Sequence, residues 1–206
     1  MTATTALTAT TGATAGLFRR QWPALVSGAL LWLAAFGAGW WYAPTDPTGV
    51  SRAPKQGDWG LFTEILARNV GVSAALFLGV VTLGVMTIPL TLVTGTLAGY
   101  FWGQGSAVLS TGEIVRHLLP HMPLELACLA LAAAAGLVPL VTWARAGLGR
   151  RPAQGTERGA GRGTERGAEQ EAVRGGRFGF QDACLLWGVS VAGLIVAAGI
   201  ETWVST

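Results

Sequence analysis

The sequence predicts an all-α, polytopic transmembrane helix bundle of about five spans, in which spans two and three form a short or re-entrant Gly-rich hairpin. Three observations carry this expectation. Of 206 residues, 51% are hydrophobic and 12% charged, whereas soluble domains carry about 25% charged residues. The apolar residues gather in stretches able to cross about 30 Å of hydrocarbon at about 1.5 Å per residue. Most of the arginines behind the net charge of +3 sit in one Gly-rich loop without interleaved aromatics, which speaks for membrane topology and against nucleic acid.

Residues 1–18 are expected to form a mobile N-terminal tail, because this Thr/Ala/Gly stretch has no charge and no apolar period. The basic pair Arg19-Arg20 precedes a first span from Pro23 to Tyr42. That run is too long for a cleaved signal sequence, so it is expected to be a retained anchor. Turn chemistry at 43–57 (Pro44, Pro47, Pro54) marks a loop. From Asp58 to Asn69 the spacing of Leu61, Phe62, Ile65 and Leu66, with Asp58 as cap, predicts a short interfacial helix.

The second span, Val70 to Thr87, carries Gly71, Ala75 and Gly79 on one face for close helix approach. The third, Pro89 to Trp102, is expected to be too short to cross upright, and it holds the small face Gly95-x-x-x-Gly99. A polar connection at 103–116 leads to a fourth span, Leu118 to Trp143, which completes the 19–143 unit of spans one to four. Residues 144–181 hold eight arginines and a repeated Gly-Thr-Glu-Arg-Gly-Ala, the composition of a disordered cytoplasmic loop. Residues 182–206 supply the fifth span and the C-terminus. Cys128 and Cys184 lie inside spans and read as small apolar residues.

Arginine-rich segments stay cytoplasmic, so the N-terminus and the 144–181 loop are placed inside a cell (cytoplasmic) membrane and the C-terminus outside. Trp40, Trp41, Trp59, Trp102 and Trp203 then fall at outer ends, and Trp22 and Trp143 at inner ends, as aromatic belts require. In this topology Asn69, Thr94, His121, Glu125 and Glu201 all sit toward the outer leaflet. An intramembrane ionisable group costs about 2.5–3.5 kcal/mol on insertion scales and faces a bundle interior or a watery cavity. These residues therefore form the candidate site. His121 and Glu125, four apart, share one helix face. Pro120 marks the helix start, and the positive end of that helix favours a neutral His121 imidazole, able to act as base or ligand.

In a catalytic reading His121 is the base, Glu125 with Glu201 orients a substrate amine or water, and Asn69 and Thr94 position the substrate. In a structural reading the same residues tie helices together, and Glu201 alone can reach interfacial water. A zinc reading of the His117, His121, Glu125 stripe with Glu201 is set aside, because Pro120 interrupts the stripe and His117 suits the interface. No cofactor and no metal are expected. No GxSxG, His-Glu-x-x-His or Walker pattern is present.

The string Leu119-Pro120-His121-Met122-Pro123-Leu124-Glu125-Leu126 resembles the Leu-Pro-His-Gly-x-x-Glu-Leu signature of the stage II sporulation protein M family of five-span membrane proteins. Asn69 matches that family's asparagine at the head of span two, Thr94-Gly95 stands where it usually has Asn-Gly, and Ile200-Glu201 resembles its terminal Ile-Glu. The similarity covers roughly residues 60–204, with departures at Thr94 and Met122. The resemblance implies either envelope remodelling, as in spore engulfment, or maturation and export of circular bacteriocins. The expected partners are the lipid bilayer and either a hydrophobic peptide substrate or membrane partner subunits, with homo-oligomer formation left open. Enzyme and non-catalytic subunit stand side by side, and a transporter is disfavoured because the chain shows no internal two-fold repeat.

Overall fold

The computed structural model describes residues 3–44, 57–149 and 163–204. It is all-helical. α1 spans Ala3–Trp41, and α2 spans Trp59–Phe77 and runs on through a 3₁₀ segment, Leu78–Thr82. α3 is Thr87–Val108, the single turn α4 is Thr111–Glu113, α5 is Met122–Gly149 and α6 is Gly163–Trp203. A π-helical turn, Ile114–Leu118, joins α4 to the approach to α5.

Among the described residues four helices are long and apolar enough to cross a membrane: Gly16–Trp41, Trp59–Thr82, Met122–Arg145 and Gly179–Trp203. Five spans were expected, and the helix that falls short of this apolar content is α3. That helix is 22 residues long, about 33 Å at 1.5 Å per residue, so it is not the short segment expected from 89–102. Its threonines and glycines, with Gln104 and Ser106, dilute its apolar character. The interfacial helix and the second span also merge, since α2 runs unbroken from Trp59 past Asn69.

Packing explains why α3 tolerates that composition. Thr87, Thr91, Gly95, Gly99 and Gly103 recur every four residues and are all buried. A Cβ added at Gly99 would strike the Phe36 carbonyl, and one at Gly95 would lie 2.8 Å from the Ala35 Cβ. Gly103 meets Ala43 and Trp40 in the same way, so α3 runs parallel to α1 at near backbone contact. Close approach through small residues replaces the hydrophobic drive that lipid cannot supply between helices. The face expected on α2 is realised only in part, because Gly79 abuts Thr87 whereas Gly71 meets nothing within 4 Å.

The α2–α3 turn carries no charge and is built on left-handed backbone at Leu83 (φ 53°) and Gly84 (φ 83°). Gly84 lies against Leu140 and Leu137 of α5. The buried Thr87 hydroxyl donates to the Leu76 carbonyl at 3.1 Å, tying the start of α3 to the end of α2.

α5 is the central helix, touching α1, α2, α3 and α6. Its run Ala132–Ala135 is fully buried, and Gly28 of α1 closes onto Ala134. Two apolar clusters flank it, one around Trp32, Leu76, Leu129 and Leu194 and one around Leu17, Val138 and Leu186. Neither Cys128 nor Cys184 forms a disulfide. Helix continues into both segments expected to be irregular: α1 begins at Ala3, α5 extends to Gly149 and α6 begins at Gly163. The remainder of the Arg/Gly-rich stretch and the proline-bearing 45–56 connection lie outside the described residues.

Candidate functional site

The approach to α5 is shaped by local chemistry. Ser110 and Glu113 form a capping box that starts α4. After the π-helical turn the chain bends through 119–121, and the Glu125 amide donates to the His121 carbonyl at 3.1 Å, closing the first turn of α5. Pro123, rather than Pro120, occupies that first turn, where a missing N–H costs nothing.

His121 and Glu125 therefore stack on one face at the N-terminus of α5 and meet the C-terminal end of α6. The His121 Nε2 lies 4.0 Å from Glu201 Oε2, with side chains 12% and 31% exposed. One donor atom each from His121, Glu125 and Glu201 falls within 4.8 Å of the others. Glu201 sits at the unfavourable, negative end of its own helix α6, and the positive end of α5, where Glu125 also lies, offsets this.

Asn69 joins from α2, where its Nδ2 donates to Glu125 Oε1. Thr94 does not extend this network by its hydroxyl, which donates to the Leu90 and Thr91 carbonyls of its own helix at 2.8 and 3.4 Å. Over the same ends of α2 and α6, Phe62 stacks on Trp203 and Trp59 meets both edge-on, with centroids 5.1 to 5.7 Å apart.

Below the site the polar seam continues through residues the sequence reading did not single out. The Trp187 Nε1 donates to Ser73 Oγ at 3.0 Å, Ser73 and Ser190 hydroxyls lie 3.4 Å apart, and Ser190 donates to the Cys128 carbonyl at 2.7 Å. Ser73 follows Asn69 by one helical turn, a spacing that offered a signal. Ser190 and Trp187 carried none without the pairing of α6 with α2 and α5.

At the opposite end of the bundle Asp182, 4% exposed, accepts from Arg20 Nη2 at 3.0 Å and Arg20 Nε at 3.3 Å, and from Gln21 at 2.8 Å. The Arg145 guanidinium donates to the Arg20 carbonyl at 3.4 Å. Arg20 is thus a tie between α1 and α6. Replacing Asp182 by leucine is expected to leave the nearly buried Gln21 amide without its acceptor and to cost about 1–3 kcal/mol, read as a lower melting temperature in detergent.

Compared with known proteins, the chain matches the family model described as Stage II sporulation protein M over residues 28–206. No curated protein and no solved structure matches it.

Proposed function

Because the chain belongs to the stage II sporulation protein M family, and because its polar side chains gather at one end of a membrane bundle, we propose that it serves the processing, cyclisation or export of a hydrophobic peptide, such as a circular bacteriocin. The convergence of His121, Glu125 and Glu201 within 4.8 Å carries this reading. In it the His121 imidazole takes the proton of a water or peptide amine as that group attacks a peptide carbonyl, and returns it to the departing amine. Glu125 and Glu201 orient the attacking group, with Asn69 holding Glu125 and Thr94 contacting the substrate from α3. The apolar flanks of the bundle admit the peptide laterally from the lipid.

The proposed topology has the N-terminus inside and the site facing outward. It is supported by Arg20 and Arg145 at one end and by the exposed Trp40, Trp41, Trp59 and Trp203 toward the other. The test is co-expression with a precursor peptide and mass analysis of the product. Cleaved or cyclic peptide that depends on the chain supports the reading, and product that forms equally without it removes the reading.

A second reading rests on the Asn69–Glu125 bond, which ties α2 to α5. In it the chain is a non-catalytic subunit of an envelope-remodelling or export complex, and the cluster holds the bundle in shape for partner subunits. Site variants would then lose abundance or partner binding before any peptide product changed.

A further inference from the structure

We propose that His121, Glu125 and Glu201 form a binding site for a divalent cation of the zinc class, whose occupancy regulates the site. Imidazole nitrogen and carboxylate oxygen are the donors zinc takes. Here they come from the start of α5 and the end of α6 and converge in space, which sets aside only His117 from the zinc reading of the sequence. His117 is not one of the donors that gather among the described residues.

Zinc–ligand distances of about 2.0–2.2 Å place tetrahedral donors about 3.3 Å apart, so separations of at most 4.8 Å close by at most about 1.5 Å when the ion binds. Two carboxylates and a neutral imidazole together carry the charge that one divalent cation balances, and this relieves the repulsion between half-buried carboxylates. Asn69 donates to one oxygen of Glu125, the kind of outer partner that orients a ligating carboxylate. Glu201 is 31% exposed and opens a path for the ion. Three protein ligands leave a fourth position for water.

The inference rests on the proposed reading of His121 as the basic nitrogen of the site. A cation on that lone pair and proton acceptance by it exclude each other, so bound cation suppresses peptide processing. The experiment uses the full chain in detergent, stripped with a chelator and then given Co(II) or Zn(II). Wild type should take up one ion per chain, show the intense visible bands of tetrahedral Co(II), and melt at a higher temperature with zinc. His121→Gln and Glu201→Gln should lose the bands, and Asn69→Leu should bind about 10–100-fold more weakly. Absent uptake by wild type, as when the carboxylates share a proton instead, or equal uptake by His121→Gln and Glu201→Gln, overturns the site. Peptide processing by the stripped protein that zinc suppresses supports the regulatory role. Processing that requires zinc overturns that role and the base assignment of His121, while uptake and Co(II) bands still report on the site itself.

Discussion

His121→Ala is expected to lower formation of the mature peptide by about 10²–10⁴-fold, the range lost with a general base, while the amount of protein in the membrane stays near that of wild type. The separation of the two effects follows from the geometry. The bond that closes the first turn of α5 uses the His121 carbonyl, not its ring, so alanine preserves the helix start. The ring faces Glu201 at 4.0 Å, where its loss removes the basic nitrogen from the cluster. Glu125→Gln makes the companion variant, because its side-chain oxygen still accepts from Asn69 and the α2–α5 tie survives. Membrane abundance by immunoblot and peptide product by mass spectrometry decide between the readings. Normal product from an abundant His121→Ala protein ends the catalytic assignment. A fall in abundance of both variants favours the subunit reading.

Gly99→Ile should destabilise the bundle by about 3 kcal/mol, the upper part of the range for overpacking, and reduce the folded fraction recovered in detergent. A side chain at this position meets the backbone of Phe36, and backbone cannot swing aside as a flexible side chain can. The parallel contact of α1 with α3 would have to open along its length, through Gly95 and Gly103. Gly37→Ala supplies the control on the same stretch of α1. Nothing lies within 4 Å of its added Cβ, and alanine favours helix over glycine by about 1 kcal/mol. Thermal unfolding in one detergent should therefore show a large drop for Gly99→Ile and none for Gly37→Ala. Equal behaviour of the two would mean that α1 and α3 do not meet at this seam.

Much of the site was readable one helix at a time. The four-residue spacing of His121 and Glu125 needs only the helical period, and the cost of ionisable groups in lipid directs attention to Glu125 and Glu201. Thr94 shows the limit of that reasoning, because a hydroxyl satisfied by its own helix at Leu90 and Thr91 looks the same in sequence as one aimed across the bundle. Asp182 shows another. Nothing in its local sequence marks it, yet it is a buried acceptor for Arg20 and Gln21, 162 and 161 positions away in the chain.

The sequence by itself determined that the chain is a helical membrane protein, because hydropathy and charge act residue by residue against the bilayer. It also determined the small face of α3, because Gly95 and Gly99 repeat with the helical period. Only the tertiary structure decided that α3 extends over 22 residues, that His121 lies 4.0 Å from Glu201, and that the seam continues through Ser73, Trp187 and Ser190. The reason is physical: in lipid, helix length is set by packing against neighbours as much as by apolar content. A polar side chain's partner is set by which helices adjoin and at what depth, and no local periodicity encodes either.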